Sequence, residues 1–384
     1  MLHYLGSRIS ADSPFSFLRV LEYISVRAGL ALIFSFLFCL LLGPAMIRML
    51  KRMQAIQYIR KSEGEGAISL EEMHKGKKGT PSMGGLLIFG AILSSALLFV
   101  SFSSAVAWLA IFAATGFCAL GFADDYLKAV KKNNAGLSAR KKLVGQIAIG
   151  IAFAAIFAYA IPGVVSYNPV PGDAAAAIEG PAFFLLPFAK HAVIALGVLY
   201  IPFAVLVLTA TSNAVNLTDG LDGLAAGVTI SATVCFAVVA YLAGRTVDSS
   251  YLYIPYVQGA GELTVILASL TGACFGFLWF NAHPAEMFMG DTGSMMLGGL
   301  LGSVALLVKQ EFLLLLVGGV FVAEAASVIL QVGSYKLRKK RIFRMAPLHH
   351  HFERGGVPES KIIARFWIVS ALLALAGLVT LKIR

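Results

Sequence analysis

The stretch AVAWLAIFAATGFCALGFADDYLK, residues 105–128, is apolar from Ala105 to Ala123 and then presents two adjacent carboxylates, Asp124 and Asp125, with Lys128 one turn on. A bilayer core about 30 Å thick needs roughly 20 apolar residues of helix at about 1.5 Å each. This run is long enough, so it reads as a membrane-spanning helix whose last turn delivers acid to a membrane boundary. Working outward, the same pattern recurs. The chain is 58% hydrophobic and 13% charged, with a mean hydropathy of +0.82, far from the roughly 45–50% apolar and about 25% charged of soluble domains.

About ten apolar runs follow one another, near residues 27–50, 82–101, 104–123, 143–162, 192–211, 221–243, 263–280, 294–308, 311–335 and 361–383. Lipid offers the backbone no hydrogen-bond partners, and the runs lack the alternation of a barrel, so helices are expected. The fold class is therefore all-α, a polytopic integral membrane protein of about ten transmembrane helices, read as one domain over 1–384. Residues 1–26 carry Asp12, Pro14 and Glu22 ahead of the first long run and show no signal-peptide pattern.

A net charge of +11 could suggest nucleic acid, but its distribution excludes that reading. Basic residues fill alternate loops: Lys51 to Lys78, Lys128 to Lys142, and Lys336 to Lys361. The long loops between them, 163–191 and 244–262, hold only Lys190 and Arg245. The positive-inside rule places the basic loops in the cytoplasm and both termini, with segment 1–26, in the periplasm. Cys39, Cys118, Cys235 and Cys274 all lie inside apolar runs without metal-ligand spacing and are expected to pack.

On this topology the unusual polar residues share the cytoplasmic face. Asp124 and Asp125 end the third run, where the helix dipole repels them; they are either a solvated helix end answered by lysines or a pair that holds a divalent cation or transfers a proton. TSNAVNLTDGLDG, residues 211–223, places Asp219 and Asp222 at a helix start. Capping explains one of them, whereas both acids with Asn213, Asn216 and two glycines suit a loop that closes on a polar ligand. NAHPAEMFMGD, residues 281–291, sets Asn281 and Phe288 ahead of Asp291, again a natural cap; Phe288 either stacks on a planar base or anchors in the headgroups. The adjacent His349, His350 and His351 cannot all face one tetrahedral zinc, and hard oxygen ligands dominate this face, so magnesium with phosphate fits better. Glu324 and Gln331, seven residues apart in the ninth run, share a helix face within the membrane.

Together, GTPSMGG (79–85), ADDYLK (123–128), NAVNLTDGLDGL (213–224), NAHPAEMFMGDTGS (281–294) and PLHHHFE (347–353) resemble the phospho-N-acetylmuramoyl-pentapeptide transferase family of bacterial cell-wall synthesis. That family sits within the polyprenyl-phosphate N-acetylhexosamine-1-phosphate transferases, and the resemblance runs from about residue 45 to the C-terminus. It implies a multi-pass enzyme of the bacterial inner membrane that joins UDP-MurNAc-pentapeptide to undecaprenyl phosphate with Mg2+, giving lipid I and UMP. By matching positions it implies Asp291 as the principal magnesium ligand, with Asp124 as a further metal ligand and as base or nucleophile beside Asp125. It implies a nucleotide and diphosphate pocket shaped by Asn216, Asp219 and Asp222, with Asn281 and Phe288 at the uracil. Lys77 would approach the nucleotide, and Gln331, His349, His350 and His351 would frame the donor. A homodimer and a broken ninth helix are also implied, and Gly333 is a compatible point for the break. A sister transferase for GlcNAc-1-phosphate is the nearest rival, disfavoured by PLHHHFE. A CDP-alcohol phosphotransferase is disfavoured because Leu224, Ala225 and Ala226 follow Asp222-Gly223. A transporter would carry its acids near the midplane of the bilayer, among internal repeats.

Overall fold

The computed structural model describes residues 2, 4, 15–53, 79–129, 136–168, 177–186 and 192–382. A short 3-10 turn, Ser16–Glu22, leads into α1 (Ile24–Arg52), α2 (Gly85–Phe99), α3 (Ala105–Ala129) and α4 (Ala139–Ala155), which continues as one wider turn to Ala160. After two short hairpin regions come α5 (Tyr200–Thr218), α6 (Leu224–Ala243), α7 (Thr246–Leu252) and α8 (Gly261–Asn281). The chain ends with α9 (Gly290–Leu307), α10 (Glu311–Val317), α11 (Gly319–Arg338), α12 (Leu348–Glu353) and α13 (Glu359–Thr380).

Among the described residues, eight helices are long and apolar enough to cross a membrane. Of the other two apolar runs, α2 is apolar but only 15 residues long, and α9 is enclosed by protein, with every residue from Thr292 to Leu307 buried. Small residues let its neighbours close in. A Cβ on Gly298 would lie 2.5 Å from Thr211 O and 2.6 Å from Ser212 Cα of α5, and one on Gly299 would enter the Phe117 ring of α3. With α3 and α5 as its main neighbours and α2 alongside, α9 becomes the central post. A second layer is formed by α8 against α1 and α6, and α13 packs on α6.

Two sequence boundaries move. The fifth run does not start as helix at 192: Val193–Ala195 is strand β4, paired antiparallel with β3 (Phe183–Leu185), and the helix begins at Tyr200. Gly197, in the left-handed region at φ 52°, lies between strand and helix. The ninth run is broken as the family resemblance implies, but at Gly318 rather than Gly333. The Gly318-Gly319 pair separates α10 from α11, a sequence where helices bend readily. Gly333 lies within continuous helix.

The helix ends opposite the acidic motifs are tied by buried charge. Arg27 of α1 donates to both oxygens of Glu262 on α8, at 2.6 and 2.7 Å, and to Phe99 O at 2.8 Å, while Ser101 N–H donates to Glu262 at 2.8 Å. One ion pair thus joins α1, α8 and the α2–α3 connection. At the same end, β1 (Val165–Tyr167) pairs with β2 (Ile178–Glu179) and with β5 (Tyr256–Val257). Buried Lys309 donates to Glu311 at 2.7 Å and stands 4.8 Å over the Tyr200 ring and 5.2 Å over Phe183, fastening the β3–β4 hairpin to the bundle. Removing one partner from a buried pair strands the other charge, at a cost of about 3–5 kcal/mol. Glu262→Ala is therefore expected to lower the thermal unfolding midpoint in detergent sharply; an unchanged midpoint would show that Arg27 does not clamp this end.

Candidate active site

The end of α3, the start of α4, the end of α5 and the start of α9 meet at one point. Asp125 reaches across to the first turn of α9, where free N–H groups need acceptors. Its Oδ1 accepts the Asp291 N–H at 3.2 Å, and its Oδ2 accepts the Thr292 N–H at 2.8 Å and the Thr292 hydroxyl at 2.6 Å. Asp125 is thus a helix cap supplied by another helix. Gly290, at φ 74°, makes the approach possible: a Cβ there would lie 2.5 Å from Asp125 Oδ2 and 2.8 Å from Ser82 Oγ. The segment 81–85 lies alongside, with Phe288 N–H donating to Pro81 O and Gly84 and Gly85 N–H donating to Phe288 O and Met289 O.

The cap sets Asp291 beside Asp124. Oxygens of Asp124, Asp125 and Asp291 all lie within 4.8 Å of one another. Two ammonium groups bridge Asp124 and Asp291: Lys142 Nζ is 2.8 Å from Asp124 Oδ2 and 2.5 Å from Asp291 Oδ2, and Lys128 Nζ is 3.0 Å from Asp291 Oδ2 and also pairs with Asp124. The second oxygen of each acid is held as well. Leu137 N–H donates to Asp124 Oδ1 at 2.7 Å, and Asn216 Nδ2 donates to Asp291 Oδ1 and to Ser294 Oγ, both at 3.0 Å. Ser138 caps α4 and so fixes Lys142 in its first turn. Neighbouring Asn213 exchanges hydrogen bonds with Gln146 instead and ties α5 to α4.

A second cluster forms where the 219–223 loop meets 281–289. Asp222 Oδ2 accepts from Ala285 N–H at 3.1 Å and pairs with His283 Nδ1 at 3.0 Å; Glu359 accepts the Asp222 N–H at 3.0 Å. Asn281 uses both ends of its amide, accepting from Gly223 N–H and donating to Met287 O. Asp219, between the clusters, is raised from its ordinary 3.8 to about 8, first by burial and then by the charges of Asp291, Asp125 and Asp222. Phe288 is half-buried in the loop.

A third group lies on and beside α11. Gln331 accepts from Ile342 and Phe343 N–H and donates to Phe343 O, pinning the basic loop to its helix. His350 pairs with Glu353, and His351 Nδ1 accepts from Arg344 N–H. The three histidines do not converge on one point. His349 is buried against Gly220, where a Cβ would collide with its ring, and so joins this group to the 219–223 loop. Lys77 lies outside the described residues. Sequence reading missed Lys142, His283 and Glu359 as members of these clusters. Lys128 was legible as the i+4 partner of Asp124, but nothing local marks Lys142 or Glu359.

Comparison with known proteins bears on the family of the chain. The profile of Glycosyl transferase family 4 matches residues 107–309, and the phospho-N-acetylmuramoyl-pentapeptide-transferase signature 1 matches residues 77–89. The chain is 46% identical over 384 residues to the phospho-N-acetylmuramoyl-pentapeptide-transferase of Citrifermentans bemidjiense, covering 100% of each. It is 48% identical over 373 residues to the protein of that name from Desulfotalea psychrophila, covering 97% of each, and 48% identical over 372 residues to that from Desulfosudis oleivorans, covering 96% of each. With family likeness over its whole length and the motif acids gathered at one end of the bundle, the chain belongs to the phospho-N-acetylmuramoyl-pentapeptide-transferase branch of glycosyl transferase family 4.

Proposed function

We propose that this protein transfers phospho-MurNAc-pentapeptide from UDP-MurNAc-pentapeptide to undecaprenyl phosphate, forming lipid I and releasing UMP in peptidoglycan synthesis. The observation that carries the reading is the sharing of two ammonium groups by Asp124 and Asp291, carboxylates from separate helices, at a bundle end rich in basic loops. The enzyme works as a homodimer in the bacterial inner membrane, with this end in the cytoplasm, where a water-soluble nucleotide donor and a lipid headgroup can both arrive.

Mg2+ suits the donor set, because three carboxylates with oxygens within 4.8 Å of one another are hard ligands gathered in one place. Asp291 and Asp124 would hold it, and once bound it supplies positive charge against the donor diphosphate. The chain's own residues do the rest. Asp125 keeps the start of α9 in place, Asn216 orients Asp291, and Lys128 and Lys142 bring further charge to the phosphates. Asp124 either takes the proton from the lipid phosphate, whose oxygen then attacks the donor's β-phosphorus as the bond to UMP breaks, or attacks that phosphorus itself and passes the phospho-sugar on. Asp219, Asp222 and Asn281 line the nucleotide and diphosphate pocket with Phe288, while Gln331 and His349, His350 and His351 frame its far side; Lys77 is assigned a part in nucleotide binding by the family motif.

Purified protein with radiolabelled UDP-MurNAc-pentapeptide, undecaprenyl phosphate and magnesium should move label into the lipid phase; UDP-GlcNAc as the preferred donor would redirect the assignment to the sister reaction. Asp291→Ala should cut turnover by at least about 100-fold, the scale of losing a main electrostatic contact, while the protein stays folded. Asp219 generates a pH test. Its carboxyl is raised to about 8, so the O–H form that can donate to a phosphate prevails below that pH and is lost as pH rises through it. Donor KM should therefore rise above about pH 8, and Asp219→Asn, which keeps a donor at every pH, should flatten that rise; an unaltered profile in the variant removes Asp219 from the donor site.

A further inference from the structure

Glu359 opens α13, 137 residues beyond Asp222, and the reaction described above gives it no work. An acid in the first turn of a helix suits the dipole, but this carboxylate also reaches out of its own helix. Glu359 Oε1 accepts the Asp222 N–H at 3.0 Å, and the next N–H of the same loop, that of Gly223, is accepted by Asn281 Oδ1 at 3.0 Å. Two successive backbone groups are thus held by side chains from two different helices, at the point where Gly223 takes the left-handed path at φ 74°. The helix that carries Glu359 is itself keyed to α6, which follows the loop. Ser370 Oγ donates to Val228 O at 3.2 Å, and a Cβ on Gly227 would collide with the Trp367 indole.

His283 completes the junction from the other wall of the pocket. Its Nδ1 stands 3.0 Å from Asp222 Oδ2 and 3.5 Å from Glu359 Oε2, and Ala285 N–H donates to the same Asp222 oxygen at 3.1 Å. A carboxylate accepts, so the imidazole meets Asp222 with an N–H. We propose that Glu359 and His283 are positioning residues for the nucleotide: they fix Asp222 by its backbone and by its side chain. The loop that carries Asp219 and Asp222 is thereby held against the 281–288 segment that carries Asn281 and Phe288. This deepens the donor-site reading given above and rests on it. Neither residue takes part in the phosphoryl step; their effect passes through the register of the two pocket walls.

Binding and turnover are measured separately, with calorimetric titration of UMP as a readout that needs neither lipid nor chemistry. Glu359→Ala and His283→Ala should each weaken UMP binding and raise donor KM by about 10-fold, the scale of one hydrogen bond to a charged group. The fall in kcat should be smaller, with no comparable rise in the KM for undecaprenyl phosphate. Glu359→Gln keeps an acceptor for the Asp222 N–H, and His283→Asn keeps an N–H for its carboxylate, so both should recover most of the UMP affinity. Equal losses for donor and acceptor, or no recovery in the conservative variants, would overturn the proposal, because a general loosening of the fold does not single out the nucleotide. The His283 side chain is 40% exposed, so if Glu359→Ala does not fold, His283→Ala against His283→Asn decides alone: unchanged UMP affinity in His283→Ala sinks the idea. Weakened UMP binding in the variants, without transfer from UDP-MurNAc-pentapeptide in the wild type, would leave the clamp standing while the assigned reaction falls. No UMP binding by the wild type would remove both.

Discussion

A helix start leaves N–H groups that must find acceptors, and at the start of α9 the acceptor is Asp125 of α3. That one arrangement fixes the rest of the site. Asp125 is followed back along its own helix by Asp124, and the capped residues are Asp291 and Thr292, so satisfying the helix end automatically places two carboxylates from different helices side by side. The cap is rigid because α9 has no freedom to drift: its glycines are pressed against the backbone of α5 and the Phe117 ring of α3. A soluble enzyme could assemble such a pair on loops. Here the acids stand on the ends of packed helices, and their separation is set by helix packing.

Charge balance explains why the cluster also collects lysines. Two carboxylates within a few ångströms repel one another strongly in a partly dehydrated site, and Lys128 with Lys142 cancels that repulsion by pairing with both. Three carboxylates, Asp124, Asp125 and Asp291, thus face two ammonium groups, and the resting set has no positive charge to spare. An arriving diphosphate and a lipid phosphate each bring negative charge that this set cannot offset unaided, which is the physical reason for a divalent cation to accompany the substrates. Burial first, and then the charges of Asp291, Asp125 and Asp222, push the carboxyl of neighbouring Asp219 up to about 8.

Much of this was legible in the chain. Apolar runs of spanning length and the alternation of basic loops fixed the helical class, and the clustering of Asp124, Asp219, Asp222 and Asp291 in the connections at one end follows from helix counting alone. What could not be read depends on contacts between distant segments. Val193 and Ile194 are as apolar as the helix that follows, and only pairing with Phe184 and Leu185 makes them strand. Gly318 and Gly333 look alike in sequence; the first is followed by a second glycine where the helix path turns, the second lies within an uninterrupted helix. Lys142 is one basic residue among many until Ser138 caps α4 and aims it at the acids.

The polar motif residues divide by what they hold. Asn281, Gln331 and Asp222 spend their hydrogen bonds largely on backbone groups of connections at the membrane boundary, where an unpaired N–H or C=O would be costly. Their side chains make irregular loops as well determined as helices, which is what a site built between helix ends requires. The groups left for chemistry are then few: the oxygens of Asp124 and Asp291 now shared with lysines, the carboxyl of Asp219, pushed up to about 8, and the ring nitrogens of His349. Each of these faces a neighbour that a substrate can replace or complete, whereas the clamping residues already hold backbone groups in place. The distinction between holding and reacting is thus written in hydrogen-bond occupancy, and it separates residues that one sequence motif presents as equivalent.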